Sequence, residues 1–233
     1  MKKKNFIVLL TAISMAFGLM ACGDNADIEV DDSQKTVEEE DGSDTADVKT
    51  NLEDYDEITE EVVRNHIVTE ASDFQYTPMG DGIGISGYTG TDTIVVIPEE
   101  IDGQPVTMLG SIFWNDSTVQ GVLIPNGVKE LGSTFANNQC IEVVIAEGVE
   151  VLGDVTFGNC PKLHTVVLSD SLTTITSTSF AALPALKELY IPDTVIDLPD
   201  YISWSEDFVI KGKSGSYIET YCSEYGIKFE AVD

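Results

Sequence analysis

A solenoid of stacked repeats, built from short β-strands and closed by a C-terminal helix–strand cap, is the fold class this 233-residue sequence predicts. Three observations point to it. Between Val119 and Leu198 the chain repeats one apolar pattern four times, and the spacings Ile124 to Ile145, Ile145 to Leu168 and Leu168 to Ile191 are 21, 23 and 23 residues. A period of roughly 20–29 residues marks a unit that cannot bury its apolar face alone and must stack on its neighbours. A phenylalanine recurs once per unit, at Phe113, Phe135, Phe157 and Phe180. The last residues read as a lid for an open core end, which a solenoid requires.

Counting from the repeated isoleucine and leucine positions aligns the columns. Val122, Val143, Val166 and Leu189 fall together, then Ile124, Ile145, Leu168 and Ile191. Val128, Val149, Leu172 and Val195 follow, then Leu131, Leu152, Ile175 and Leu198. Upstream, Thr93–Ile97 is β-branched and reads as a strand. Ile101-Asp-Gly-Gln-Pro-Val106 carries Asp102-Gly103, a strong hairpin signal, so the first repeat runs from Ile94 to Phe113 with an inserted turn. Gly82–Tyr88, rich in glycine, reads as an edge strand. At the other end, Ser216 and Glu219 form a capping box, and Ile218, Tyr221, Cys222 and Tyr225 share one helix face. Gly226 stops that helix, and Ile227–Val232 is a last strand. The predicted solenoid therefore spans 74–210 and its cap 211–233.

These columns resemble the BspA-like class of leucine-rich repeats. Ile124-Pro125, Val128, Leu131-Gly132 and Phe135 match its pattern, as do Leu152-Gly153, Phe157 and Cys160. Gly87-Tyr-Thr-Gly and the Ile101–Val106 insert match its usual first repeat. The resemblance covers residues 74–233. It implies a surface protein that adheres to or interacts with other proteins, without catalysis. The last repeat departs from the pattern, since Pro199 replaces the glycine and Tyr201–Asp207, with Trp204, is irregular.

The N-terminus gives an address. Met1-Lys-Lys-Lys4 precedes an apolar run ending in Leu19-Met-Ala-Cys22. A basic start, a short apolar stretch and small residues at the cut describe a signal peptide over 1–21. Leu-x-Ala-Cys resembles the bacterial lipobox, which implies cleavage before Cys22 and lipid on its sulfur. The expected location is then the bacterial cell surface, lipid-anchored to the outer face of the cytoplasmic membrane. Residues 22–61 are expected to be an acidic, disordered tether, because they hold few apolar residues to offset chain entropy. About 40 residues of relaxed coil span roughly 35 Å. Residues 62–73 form a lead-in whose amphipathic pattern is weak, with a short helix from Glu57 to Val68 as one reading.

The net charge of −29 excludes several classes of partner. A surface so acidic repels nucleic acid, which needs clustered Lys and Arg. It repels anionic head groups too, leaving the lipid on Cys22 as the membrane attachment. Cys140, Cys160 and Cys222 are an odd number for a disulfide framework. Buried thiols are expected at Cys140 and Cys160, while a bridge between them stays open. No cysteine pair has metal-ligand spacing, and the acids of 24–61 lack the order of a calcium loop. His66 and His164 have no nucleophile at catalytic spacing. Gly212-Lys213-Ser214 lacks the earlier glycine of a phosphate loop, and Gly80–Gly84 lacks the strand-to-helix context of a dinucleotide loop. Neither a cofactor, a metal nor a catalytic residue is assigned.

One ladder remains as a candidate site. Between the inward columns the alignment places Val96, Leu123, Val144, Val167 and Tyr190 facing outward, flanked by Glu142, Thr165 and Glu188. Plain β-propensity accounts for such residues on a pleated surface. A protein-binding strip accounts for them as well, since contiguous exposed apolar area marks interfaces. The expected function is protein–protein interaction or adhesion with an extracellular protein of a host or neighbouring cell. The alternative is a carbohydrate-binding or wall-associated module, which would need Tyr88, Trp114, Tyr190 and Trp204 to gather on one face.

Overall fold

The computed structural model describes residues 57–199 and 207–232. The signal sequence, Cys22, most of the tether and Trp204 lie outside them. A short helix α1 (Glu60–Asn65) and a 3-10 turn at Ala71–Asp73 lead in. An N-terminal sheet comes next: β1 (Phe74–Met79) pairs antiparallel with β2 (Gly82–Tyr88). Then come β3 (Ile94–Val96) and the hairpin of β4 (Glu100–Ile101) and β5 (Gln104–Leu109). From there each repeat contributes a longer and a shorter strand. These are β6 (Gly121–Leu123) with β7 (Glu130–Leu131), β8 (Val143–Ala146) with β9 (Val151–Leu152), and β10 (Thr165–Leu168) with β11 (Thr174–Ile175). The chain closes through β12 (Glu188–Tyr190), β13 (Val209–Gly212), α2 (Tyr217–Tyr225) and β14 (Lys228–Ala231).

The longer strands stack in parallel in the order β10-β8-β6-β3, and the shorter ones in the order β11-β9-β7. A third parallel sheet, β12-β13-β14, ends the solenoid. The predicted fold class is therefore the observed one. Inside, Phe113, Phe135, Phe157 and Phe180 are buried one above the next, with centroids 5.4, 5.6 and 5.4 Å apart. Each such pair contributes about 0.5–1.5 kcal/mol beyond its area burial. Asp102 and Gly103 both take positive φ, 54° and 74°, the conformation a two-residue hairpin needs.

Side chains after two of the phenylalanines, Phe135 and Phe157, tie one coil to the last. The buried Asn138 amide nitrogen donates to the carbonyl of Phe113, and its Oδ1 accepts from the N–H groups of Cys140 and Ile141. Cys160 fills the same place one repeat on, its thiol 3.0 Å from the carbonyl of Phe135. Burial pushes the Cys160 thiol up to about 12. Cys160 and Cys222 are free and buried, so no Cys140–Cys160 bridge forms.

A second side-chain ladder is incomplete. The Thr156 hydroxyl donates to Leu131 O at 3.0 Å, whereas the buried hydroxyl of Thr134 has no hydrogen-bond partner among the described residues. Thr134→Val should therefore be neutral or stabilising, and Thr156→Val should cost about 0.5–1.5 kcal/mol. Urea melts of the two variants check this contrast.

Four expectations need correction. β2 is not an edge strand, because β1 covers one side and β5 pairs along the other. The tether ends earlier than residue 61, since Ile58 is buried and Thr59 caps α1 by accepting from Val62 N. The boundary at 211 cuts through β13, which pairs with both β12 and β14. Tyr225 is exposed rather than buried with the α2 face, its ring 4.6 Å from that of Tyr221. The predicted caps of α2 form: Ser216 accepts from Glu219 N, and Gly226 is left-handed.

Candidate functional site

The outer face of the β10-β8-β6-β3 sheet carries the candidate ladder, and its register differs from the sequence alignment in one repeat. Val122 pairs with Val144 and Val166 with Val144, while Leu123 and Val167 pair with Ile145. Val144 thus points inward and is fully buried in the main core beside Val122 and Val166. The outward ladder is Val96, Leu123, Ile145, Val167 and Tyr190. Ala146, not Ile145, joins the column of Ile124 and Leu168. The cause is a shorter turn: Ala146-Glu-Gly-Val149 has one residue fewer than Ile124-Pro-Asn-Gly-Val128. Counting from the turn therefore slips the strand by one residue, and a slip of one exchanges its faces. The second outward column is Ile94, Gly121, Val143 and Thr165, so Val143 and not Glu142 stands beside the ladder.

Most of the N-terminal half of this face is covered by the chain itself. Ile58 and Val63 of the lead-in form a separate buried cluster with Ile94, Val143 and Ile145, with Val62, Leu123 and Val167 packed at its margin. Gly121 is the seat, for a Cβ there would lie 2.7 Å from Val63 Cγ2. Arg64 reaches Glu147 at 2.8 Å and Glu60 at 2.7 Å. Past the helix, Thr69 pairs with the free edge of β3: its N–H donates to Val96 O, and its Oγ1 accepts from Val96 N. That closes an edge which would otherwise offer unpaired backbone to another chain.

The other half of the face is open. β10 and β12 belong to different sheets, and between them lies a cleft of about 280 Å³ lined by His164, Thr165, Val167, Glu188, Tyr190 and Lys211. Tyr190 is 40% exposed. The rim is polar: Lys211 pairs with Glu188 at 2.8 Å, and His164 Nδ1 lies 3.0 Å from Thr165 Oγ1. His164 Nε2 is 3.9 Å from Glu142.

This arrangement is a surface with an apolar centre and a charged rim. No group of three or more His, Cys, Asp or Glu side chains placed to hold a metal ion occurs among the described residues. The same residues include no helix long and apolar enough to cross a membrane. Of the four aromatics required by a glycan platform, the three among the described residues do not gather. Tyr88 is packed between Phe74 and Phe113, Trp114 is exposed in the turn after Phe113, and Tyr190 stands on the outer sheet.

Residues 100–206 match the BspA type leucine rich repeat region in six copies. This stretch is a run of leucine-rich repeats of the BspA type. Two solved structures resemble it. One is a leucine rich repeat protein of T. pallidum, 21% identical with a TM-score of 0.47, covering 70% of this chain and 98% of that one. The other is a leucine rich cell surface protein of Faecalibacterium prausnitzii, 22% identical with a TM-score of 0.31, covering 63% of this chain and 55% of that one. No curated protein matches the chain. A BspA-type repeat domain is consistent with a protein-interaction role, since repeat solenoids bind through extended surfaces.

Proposed function

We propose that this BspA-type protein is a lipid-anchored surface protein whose repeat domain binds another protein through the open part of its outer sheet face. The observation that carries the binding half is the apolar continuation of the ladder through half-buried Val167 to exposed Tyr190, beside a polar-rimmed cleft. Interfaces of this build place aromatic and aliphatic anchors at the centre and charge at the rim. The acidic balance of the chain favours a partner with cationic residues around its contact patch. Adhesion to a host or neighbouring cell follows if that partner sits on another cell.

Binding is tested by exposing the immobilised chain to an extract of its natural surroundings. The expected result is a captured protein that protease treatment removes. Capture that resists protease and is lost on periodate oxidation would overturn this reading in favour of a glycan ligand.

The anchoring half rests on Leu19-Met-Ala-Cys22 after a basic and apolar start. Cys22→Ala should release the protein to the medium or leave it as uncleaved precursor. Two acyl chains hold a protein on a bilayer where one holds it only marginally. Cell fractionation decides the matter, and a variant that still fractionates with membranes like the wild type would remove the lipid anchor.

A further inference from the structure

The helix lying on the outer face differs from the rest of the domain in how it is held. α1 has six residues, far fewer than a helix needs to be stable alone. It is fixed by two apolar anchors, Ile58 and Val63, by the Arg64–Glu147 pair and by the Thr69 rung on Val96. Its apolar side chains do not enter the main core, which is complete beneath the sheet without them. The seat is nonetheless shaped for it. In the column Ile94, Gly121, Val143, Thr165, glycine stands where Val63 enters, and a side chain there would collide with it. The apolar face also outruns its occupant, continuing past Val167 at the margin of the helix to Tyr190.

We propose that the outer face is a docking groove for a short amphipathic helix carrying a cation, that α1 occupies it in cis, and that a partner's helix of the same chemistry displaces α1. The ligand chemistry is read from the occupant. Apolar residues spaced as Ile58, Val62 and Val63 enter the notch at Gly121 and the strip beside it. A cation spaced as Arg64 meets Glu147 at the rim. This inference rests on the protein-binding role and adds to it a partner class and a mode of control. The free protein hides the larger part of its apolar strip, which limits non-specific association, and a partner uncovers it.

The experiment uses the full chain and a fluorescent peptide copying residues 57–70. In the wild type the cis segment acts at an effective concentration on the order of millimolar, so the peptide should bind weakly. Ile58→Asp with Val63→Asp should free the groove and bind the peptide at least tenfold more tightly. Adding Gly121→Leu to that double variant should fill the notch and return binding to the wild-type level. Arg64→Glu alone, which sets like charge against Glu147, should give a smaller gain in the same direction. Three results would overturn the proposal: no binding to the opened chain, binding indifferent to Gly121→Leu, or a double variant that circular dichroism shows to be unfolded. Each of these concerns the helix seat alone. Capture of a partner by the wild-type chain reports on the protein-binding role, so the two can fail separately.

Discussion

Phe157→Ala should cost roughly 3–5 kcal/mol, the range for emptying a large buried aromatic site. Phe157 is fully buried in the middle of the phenylalanine column, 5.6 Å from Phe135 and 5.4 Å from Phe180 between ring centroids. Neither neighbour can move into the gap without leaving its own contacts, and the coils above and below are fixed by parallel ladders. The cavity therefore stays largely open. Thr165→Ala, on the outward column, should stay within about 0.5 kcal/mol, as surface changes do. Denaturant melts of both variants measure the difference. Equal losses would mean that the phenylalanine column is not the interior of the stack.

Val144→Asp should be as severe, roughly 3–5 kcal/mol or more, because it places a carboxylate without a partner in the main core. Val167→Asp should be mild, since the cleft beside Tyr190 lets solvent reach the new charge. The pair tests the register of the third repeat directly. Tolerance at Val144 with loss at Val167 would restore the alignment in which Val144 faces outward.

That register is where the sequence was least legible. Four of the five ladder positions follow from the alignment of the repeats. The fifth fails because Val143, Val144, Ile145 and Ala146 are all apolar, so periodicity carries no phase there. Covering both faces removes the signal: α1 buries Val143 and Ile145 from outside while the core buries Val144 and Ala146 from inside. Read the other way, strands apolar on both faces, Ile94–Val96 and Val143–Ala146, were a sign that something lies on the sheet. The phenylalanine column, the hairpin at Asp102-Gly103 and the capped α2 were legible because each depends on local pattern or turn chemistry.

The helix α1 was harder to see, since its stability comes from tertiary contact. Six residues with one fully buried side chain give little amphipathic pattern, and the acidic run before them reads as solvated chain. The one available clue was Gly121. It interrupts a β-branched column at a place where no turn needs glycine, and such a residue signals close approach of another segment. The open end of the site had no sequence signal at all, because it arises from the missing ladder between β10 and β12.

The role assigned to the outer face is tested most directly by comparing capture by three immobilised forms of the full chain. They are the wild type, Val167→Asp with Tyr190→Asp, and Trp114→Asp, the last altering an exposed aromatic in the turn after Phe113. Melts first establish that all three are folded. The outer-face reading predicts that the wild type and Trp114→Asp retain the same protein from an extract of the natural surroundings, and that the double variant retains at least tenfold less. Equal capture by the folded double variant, with loss in Trp114→Asp, would contradict it and place binding on the turns beside the phenylalanine column.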